Sequence, residues 1–501
     1  MNNNIVVRIN DCVVSKDSVL AYGHFNTIHP GHIRYLKYAK KQGENLFIAL
    51  IGDKALNDYS EFKFNQRDRC NALSLIGIAD KIILLDANEL SLVVEKIRPK
   101  LLILGKEFES SNEEEILRSI KIQKKADRGL SFYGGDITYS NSELLSGTGS
   151  EIEIKRKKEF LAVCSKNNIT LETLYESISH WKNTNLVVLG DSILDQYVAC
   201  EALGMSAEAP VIVVKELESK NFIGGAGIVA GHISSLGANC TLISVIGNDL
   251  NGECLRKKII EAGIKDGLEI DSERPTTFKK RYVVDNQKLF RVSKLEQYQI
   301  NSKIEEKIIN KLEEIAPDID GIVISDFVYG VVTENVLKSI NLLAEKYSLM
   351  LFGDVQCSTQ VGSITKFNNF TLVSPNEREA RIAMQDKDSG LEYLSNKLLS
   401  LTKSKKLIMK LGPQGFIAYE KDKNGHYFSQ SFPALSVTPI DLAGAGDSLL
   451  AVMATGLSSK QAMLTTAAIG SCMAAIAVET LGNTPIELDE LREKIYSTFE
   501  N

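Results

Sequence analysis

Residues 19–36 have the sequence VLAYGHFNTIHPGHIRYL, and this stretch determines how the first part of the chain folds. Its apolar start and the helical spacing of Ile33 and Leu36 predict a strand, a turn and an amphipathic helix. Pro30 and Gly31 fall at the helix opening, where a missing backbone N–H costs little. Because N–H groups and the positive dipole end at a helix start favour anions, the stretch predicts a phosphate-binding turn.

Two imidazoles, His29 and His32, project from this predicted turn. Each can donate a hydrogen bond to a phosphoryl oxygen as charge shifts onto leaving pyrophosphate. A zinc site would need further His, Cys or carboxylate ligands, and the chain has 6 His and no Cys-x-x-Cys pair. A purely structural pair is the other alternative. We expect the phosphate role.

A second stretch, DLAGAGDSLL at residues 441–450, places small residues before an apolar helix. The N–H groups of Ala445, Gly446 and Asp447 can converge there on a transferring phosphoryl group. The Asp447 carboxylate is placed to accept the proton of an attacking sugar hydroxyl. The alternative is an Asp447 that only caps its own helix.

The segment between the two stretches changes character from residue 147 to residue 183, where no strand pattern occurs. Leu171, Leu174 and Ile178 recur at helical spacing, and the charge run 155–158 is typical of a solvated helix face rather than of a nucleic-acid patch. We predict three parts: a domain over residues 1–146, a helical connector over 147–183 and a larger domain over 184–501.

The first domain resembles the cytidylyltransferase-like nucleotidyltransferases, whose hallmark is Gly-x-Phe-Asp-x-x-His-x-Gly-His. Residues 23–32, GHFNTIHPGH, match it with Asn26 in place of the Asp. The resemblance implies a Rossmann-like domain with His29 and His32 as the catalytic residues. It also implies nucleotide or phosphate binding by Gly23, Phe25, Asn26, Arg69, Gly105, Lys106, Ser140 and Ser142.

The second domain resembles the ribokinase-like carbohydrate kinases from about Leu186 to the end of the sequence, through the late Asp-Thr-x-Gly-Ala-Gly-Asp motif and an early Gly-Gly run. The resemblance implies Asp447 as the base and an anion hole at residues 444–446. The implied nucleotide or phosphate ligands are Lys410, Gly412, Gly415, Gly444, Ala445 and Gly446; the implied acceptor ligands are Asp191, Asp195, Gly224, Gly225 and Arg291; and Asn376 and Glu379 are implied in indirect Mg²⁺ binding.

Within that group the second domain is similar to the kinase half of the bifunctional heptose 7-phosphate kinase/heptose 1-phosphate adenylyltransferases, in which the nucleotidyltransferase follows the kinase. The order predicted here is reversed. Ile228 replaces a sugar-binding Asn, and Gln196, Tyr329 and Gln356 replace basic residues. Losing three cations should weaken recognition of an acceptor that already carries a phosphate.

The predicted fold class is α/β, with an N-terminal Rossmann-like nucleotidyltransferase domain and a C-terminal ribokinase-like domain bearing a small β lid. Extra strands predicted around residues 208–215 and 276–291 would form that lid, and the resemblance implies a homodimer through it. The predicted function is a sugar kinase and sugar-phosphate nucleotidyltransferase that uses ATP and Mg²⁺ and makes an ADP-heptose-like sugar for surface glycan or lipopolysaccharide synthesis.

Two alternatives stay open. One is a CTP-dependent cytidylyltransferase that makes a CDP-polyol such as CDP-glycerol, with an accessory kinase. The absence of an Arg at residues 134–138 favours ATP over CTP. The other alternative is that one half is a regulatory module without catalysis, which Asn26, Ile228 and Ala443 motivate.

Composition limits the partners. The chain has 58 Lys and Arg against 64 Asp and Glu, a net charge of −6, so no overall basic field favours nucleic acid. The 8 cysteines are scattered singly, as in reduced cytosolic proteins. No apolar run suits a membrane span, and the start does not resemble a signal peptide. We therefore expect a cytoplasmic enzyme acting on small molecules.

Overall fold

The structure is a computed structural model that describes residues 5–26, 28, 30–54, 64–105, 108, 113–133, 149–285, 287–356, 362–387, 389–421 and 427–500. The chain forms two compact units. One comprises residues 1–146 with 385–396, and the other comprises 147–384 with 397–501. The boundaries at 146 and 184 drawn from the sequence stay a prediction.

The first unit alternates strands and helices, as its periodicity predicts. Its elements are β1 Val6–Arg8, β2 Ser18–Gly23, α1 Pro30–Lys41, β3 Asn45–Ile51, α2 Gln66–Ile76, β4 Lys81–Leu85, α3 Leu90–Ile97, β5 Leu101–Gly105, α4 Glu114–Lys125 and β6 Gly129–Tyr133. The strands form a 6-stranded parallel sheet in the order β1-β4-β3-β2-β5-β6.

The strand order of this sheet reverses next to β2, whose neighbours are β3 on one side and β5 on the other. In open α/β sheets, ligands bind beyond the carboxyl ends of the strands at such a switch point. Gly23 ends β2 and Gly105 ends β5. The topology therefore places the first predicted phosphate turn at the position where this fold binds ligands.

The second unit carries the larger set of elements. They are α5 Gly149–Lys166, α6 Leu171–Ser179, β7 Asn185–Gly190, β8 Ser192–Met205, β9 Ile212–Gly225, α7 Ala226–Ser235, β10 Asn239–Ile243, β11 Val245–Gly247, α8 Leu250–Glu261, β12 Lys265–Asp266, β13 Glu269–Asp271, β14 Phe278–Val284, β15 Gln287–Lys294, α9 Ser302–Ile315, β16 Gly321–Asp326, α10 Glu334–Tyr347, β17 Met350–Val355, β18 Leu372–Val373, α11 Glu377–Met384, α12 Leu391–Thr402 (which the division into units cuts), β19 Lys406–Lys410, β20 Phe416–Lys421, β21 Tyr427–Phe432, α13 Ala445–Ser458, α14 Met463–Glu479 and α15 Leu488–Phe499.

A 9-stranded sheet forms the centre of this unit, in the order β12-β10-β7-β16-β17-β18-β19-β20-β21. It is parallel from β12 to β19, β20 runs antiparallel to β19, and β21 runs antiparallel to β20. Helices α13 and α14 pack against each other in the core. Every residue of α13 from Asp447 to Ser458 is buried, which explains why its sequence is small and apolar on all sides.

A separate 4-stranded sheet, in the order β15-β14-β8-β9, is the lid that the sequence predicts. Strands β8 and β9 form a long antiparallel hairpin, and β14 pairs with β8 in parallel. The far end of the hairpin exposes large apolar side chains. Those more than half exposed are Leu203, Met205, Val211, Ile212 and Leu217.

The predicted connector forms two helices, α5 and α6, that pack into the core of the second unit. Phe160 of α5 is fully buried, with its ring centroid 6.5 Å from that of Phe432 and 6.2 Å from that of Phe499. Leu174 and Ile178 of α6 lie in the same core. This segment is therefore part of the hydrophobic core of the unit.

Replacing Phe160 with Ala should destabilise the second unit by about 3 to 5 kcal/mol, because a fully buried aromatic side chain leaves a cavity. Trp181 is the sole tryptophan, and it is buried in the same core, so its fluorescence during urea unfolding reports on this unit. The exposed neighbour Glu159→Ala is the control. A loss as small as that of the control would contradict the packing of α5 into the core.

Candidate active sites

A cavity of about 510 Å³ opens in the second unit beside the start of α13. It brings together residues that lie far apart in the sequence. The predicted site residues that line it are Asp195, Gly225, Arg291, Asn376, Glu379, Lys410, Gly412, Gly415, Gly444, Ala445, Gly446 and Asp447.

The 444–447 turn has the backbone that an anion hole requires. Gly444 has a φ of 87° and serves as the N-cap of α13, which begins at Ala445. An added Cβ at Gly444 would lie 2.7 Å from Asn483 Oδ1, so both conformation and space favour glycine. The first N–H groups of α13 accordingly open into the cavity without a capping side chain.

Asp447 lies in the first turn of α13 and is buried. Burial, and then the nearby Asp354 carboxylate, raise its pKa to about 7, while Lys410 and Lys279 oppose the shift. Gln356 Nε2 donates a hydrogen bond of 2.9 Å to Asp447 Oδ1 and fixes the carboxylate. A carboxylate with a pKa near neutrality suits a general base that accepts a proton and later releases it.

Lys410, the last residue of β19, supplies positive charge at the anion hole. Its Nζ donates to both oxygens of Asp354, at 2.8 and 2.9 Å. Burial disfavours the ammonium, but Asp354 and Glu379 outweigh that effect and raise the pKa of Lys410. A Cβ added at Gly446 would lie 3.2 Å from Lys410 Nζ, so this ammonium group lies directly beside the first turn of α13.

Asn376 and Glu379 bond to each other's backbone at the start of α11. The N–H of Asn376 donates to Glu379 Oε2, and the N–H of Glu379 donates to Asn376 Oδ1, both at 2.8 Å. This reciprocal pair holds a carboxylate and an amide rigidly at the cavity.

Another wall of the cavity is built around Asp195 of β8. Asp195 forms a close ion pair with Arg281 of β14, and Asn483 Nδ2 donates to Asp195 Oδ2 at 3.3 Å. A Cβ at Gly224 would lie 2.5 Å from that oxygen, so Gly224 gives the carboxylate room although it does not line the cavity itself.

Two cations of β14, Lys279 and Arg281, line the cavity and were not predicted from the sequence. Lys279 is buried, with its Nζ 5.0 Å from the ring centroid of Phe327 and 5.3 Å from that of Tyr329. The signal that could have found them is their spacing, because residues i and i+2 of a strand point to the same face.

Asp191, predicted to bind the sugar, is hydrogen-bonded to a neighbouring loop. Its carboxylate oxygens accept the backbone N–H groups of Phe327, Tyr329 and Val331, at 2.9, 3.1 and 3.3 Å. Burial raises its pKa, and these three bonds oppose that shift. Asp191 therefore holds the 327–331 loop. Its role as a sugar ligand stays a prediction.

In the first unit, the predicted strand and helix both form. Strand β2 ends at Gly23 and α1 begins at Pro30. Phe25 lies between them with a φ of 48°, and its buried ring centroid is 5.0 Å from the His32 imidazole. Asn26 Oδ1 accepts the N–H of Phe64 at 3.3 Å. His32 is therefore positioned at the switch point of the sheet by an aromatic contact.

Arg69 is tied to the backbone around this turn. Its Nη1 donates to the carbonyl oxygens of His24 and Ile51, at 2.6 and 2.7 Å, and its Nη2 forms an ion pair of 2.7 Å with Asp53. The side chain is 2% exposed. These contacts join the segments that follow β2 and β3, and phosphate binding by Arg69, which would require exchanging some of them, stays a prediction.

Four predicted site residues, His29, Lys106, Ser140 and Ser142, lie outside the residues that the structure describes. Gly105, at the end of β5, lies within them.

Comparison with known proteins agrees with both folds. Phosphofructokinase-2 from Escherichia coli superimposes with a TM-score of 0.54 at 16% identity, over 63% of this chain and 100% of that chain, which shows the fold. The model of the pfkB family carbohydrate kinases matches residues 183–489, and that of the cytidylyltransferase-like family matches residues 20–184.

Relatives include Bifunctional protein HldE of Trichlorobacter lovleyi, 30% identical over 327 residues, and that of Nitratiruptor sp., 28% identical over 311 residues. The alignments cover 64% and 62% of this chain, and 64% of each relative. The chain thus spans slightly less than two thirds of the length of these relatives, and a reversed domain order relative to them stays a prediction.

The fold and the family matches define a transferase with an N-terminal cytidylyltransferase-like domain and a C-terminal ribokinase-like domain. The chain belongs to the pfkB family of carbohydrate kinases, whose model matches more than half of it. Among the helices that the structure describes, none is long and apolar enough to cross a membrane.

Replacing Gln356 with Lys should lower the pKa of Asp447, because a cation beside the carboxylate favours its charged form. The base must be deprotonated, so kinase kcat/KM of the wild type should fall as the pH drops through about 7. In Gln356→Lys this acidic limb should move to lower pH by about one unit or more. A pH profile of ADP formation measures both.

The control for this experiment is Gln299→Lys, which adds the same charge at an exposed glutamine outside the cavity lining. Its profile should coincide with that of the wild type. An acidic limb that stays in place in Gln356→Lys would contradict the assignment of the limb to Asp447.

Proposed function

We propose that this protein is a bifunctional enzyme that phosphorylates a sugar and then joins the sugar phosphate to a nucleotide. The observation that carries the proposal is the buried Asp447 carboxylate, with a pKa of about 7, at the open N-terminus of α13. The cytidylyltransferase-like match in the same chain, and relatives named as bifunctional, support the second activity.

In the kinase reaction, an acceptor hydroxyl gives its proton to Asp447 as its oxygen attacks the γ-phosphorus of ATP. The bond from that phosphorus to the bridging oxygen breaks, and ADP leaves. The N–H groups of Ala445 and Gly446, with the nearby Lys410 ammonium, stabilise the negative charge of the transferring group. Gln356 keeps the accepting carboxylate oriented.

Mg²⁺ fits this cavity in an indirect role. Hard cations prefer oxygen ligands, and Asn376 and Glu379 offer an amide oxygen and a carboxylate at the cavity wall. In the described part of the chain, no group of three or more His, Cys, Asp or Glu is placed to hold a metal ion. Mg²⁺ would therefore be held mainly by ATP phosphates, whose charge it neutralises, with Asn376 and Glu379 reached through water.

In the nucleotidyltransferase reaction, a phosphate oxygen of the sugar phosphate attacks the α-phosphorus of the nucleoside triphosphate, and pyrophosphate leaves. His32 stabilises the charge of the leaving group, together with His29 as the family motif implies. The start of α1 contributes its N–H groups and dipole.

The charges of the lid favour an acceptor that already carries a phosphate. Arg281 and Arg291 lie directly opposite each other on β14 and β15, and both line the cavity. Like charges in this arrangement repel each other. Asp195 balances Arg281, which leaves Arg291 available to bind an anion. We therefore favour a sugar phosphate of the heptose type as acceptor and an ADP-sugar as product, ahead of a CDP-polyol.

We place both reactions in the cytoplasm, on small-molecule substrates. The cysteines that the structure describes are all free thiols, as expected in a reducing compartment: Cys12, Cys70, Cys164, Cys200, Cys240, Cys254 and Cys472.

The division of labour is tested with Asp447→Asn and His32→Ala. Each protein is incubated with Mg²⁺, ATP or CTP, and a panel of sugars, sugar phosphates and polyols, and ADP, pyrophosphate and nucleotide sugars are quantified by mass spectrometry. Asp447→Asn should lose ADP formation by about 10²-fold to 10⁴-fold and keep pyrophosphate release from added sugar 1-phosphate. His32→Ala should do the reverse, losing about 10²-fold to 10³-fold.

Each variant is the control for the other, because a damaged fold would impair both reactions. If the wild type releases only ADP or only pyrophosphate, the other half is a module without catalysis. Formation of a CDP-polyol from CTP would contradict the proposed ADP-sugar product and support the alternative, a CTP-dependent cytidylyltransferase.

We also propose a homodimer formed through the lid, because the end of the β8–β9 hairpin exposes Met205 at 62% and Ile212 at 59%, more than isolated apolar residues require. The double variant Met205→Asp with Ile212→Asp should shift the mass measured by light scattering from dimer to monomer. Leu342→Asp, at an equally exposed apolar residue on α10, should leave it unchanged. A wild-type monomer would contradict the proposal.

A further inference from the structure

One residue lining the kinase cavity comes from outside the part of the chain that matches the kinase family. Arg156 lies on α5, whereas the family match begins at residue 183. The sequence predicted that the charge run 155–158 is a solvated helix face. Arg156 instead is half-buried and donates from Nη1 to the carbonyl oxygen of Ser436 at 2.8 Å.

The cavity wall beside Arg156 is apolar. Ser436 belongs to the segment that follows β21, and this segment contributes Pro433, Leu435, Val437 and Pro439 to the lining. Such a surface suits the flat, uncharged base of a nucleotide rather than its phosphates, which the 444–447 turn and Lys410 accommodate. A guanidinium next to it can stack on a base and donate hydrogen bonds to its edge.

The core fixes where Arg156 lies. Phe160 follows it by one helical turn, so the two side chains share a face of α5. Phe160 packs against Phe432, the last residue of β21, which leads directly into Pro433. Asn167 Nδ2 also donates to Gln430 Oε1 of β21, at 3.3 Å. The packing that anchors the helix therefore holds Arg156 beside the cavity wall.

The charge of Arg156 is not neutralised by an ion pair with any residue that the structure describes. Its one hydrogen bond is to the Ser436 carbonyl, which uses a single N–H of the five that a guanidinium offers. Burial lowers its pKa, and Glu159 on the same helix partly opposes that shift. The guanidinium thus retains donors for a ligand that enters the cavity.

We propose that Arg156 binds the base and ribose part of the adenine nucleotide used by the kinase, so that helix α5, ahead of the kinase fold, completes its nucleotide site. The proposal rests on the proposed kinase function of this cavity. It adds to that function a nucleotide-binding residue from the helical segment that precedes the kinase fold.

The test uses the full chain with ADP and Mg²⁺ as the probe. Thermal unfolding is followed through Trp181 fluorescence, so only the second unit is observed. A ligand that binds the folded state raises the midpoint by an amount that grows with the logarithm of the ligand concentration divided by Kd. Arg156→Gln should require about tenfold more ADP than the wild type for the same rise, because it loses charge-assisted hydrogen bonds.

Lys158→Gln is the matched control, since it removes an exposed cation of the same helix two residues away and should leave ADP binding unchanged. Arg156→Lys keeps the charge without the planar fork and should lose an intermediate amount. In a kinase assay, Arg156→Gln should raise KM for ATP about tenfold with kcat within about twofold, because the lost contact is remote from the reacting atoms.

Arg156→Gln and Arg156→Lys that both bind ADP as tightly as the wild type would overturn the proposal. A wild type whose midpoint ADP does not raise would overturn the proposed kinase function itself. If the midpoint of Arg156→Gln without ADP falls below that of the wild type, the substitution has damaged the fold. The ADP concentration that Arg156→Lys requires then tests the proposal.

Discussion

The second unit depends on burying one carboxylate where a helix begins. Burying Asp447 is unfavourable for its charged form, and the structure offsets this with the helix start, the Gln356 amide and the Lys410 ammonium. Asp354 works against them, but it also holds Lys410 in place. The balance leaves a base that changes its protonation near neutral pH. Moving Gln356 or Lys410 would shift the proton affinity of the base.

Both units solve the same problem with the same geometry. In each, a helix start lies near the ends of the central strands, and its N–H groups and dipole favour an anion. Gly23 and Pro30 bound this turn in the first unit, while in the second unit Gln356 follows β17 and Lys410 ends β19. The carboxyl ends of parallel strands meet at one edge of a sheet, so side chains distant in sequence converge there. The two units therefore share one arrangement that suits phosphate binding.

The sequence predicts features that depend on local backbone requirements. The 444–447 turn needs a positive φ at Gly444 and small residues at the helix start. Both requirements can be read from the glycines and alanines of the motif. The start of α1 at Pro30 is predicted for the same reason. The sequence predicts a solvated Arg156, because charge runs on helices usually face water. The packing of Phe160 instead places Arg156 beside the cavity. Tertiary contacts of this kind have no local signal.

The roles of aspartate and arginine are the hardest to predict from sequence, because these side chains can bind backbone groups as well as ligands. Asp191 accepts three N–H groups of a loop, and Arg69 donates to three carbonyl oxygens, those of His24, Ile51 and Phe64. A motif that places a charged residue near a ligand does not distinguish direct contact from support of the surrounding loop. The hydrogen bonds show that both residues support backbone, and their roles as ligands stay predictions.

The same contacts change the interpretation of the three missing cations. Gln196, Tyr329 and Gln356 replace basic residues of the similar kinases, which from sequence alone argued against a phosphorylated acceptor. Lys279 lies over the ring of Tyr329, and Gln356 is bonded to the Asp447 carboxylate, where a cation would lower the pKa of Asp447. Positive charge at the acceptor is therefore concentrated on β14 and β15, at Lys279, Arg281 and Arg291. A lid that carries this charge can neutralise an acceptor phosphate and cover the cavity with the same strands.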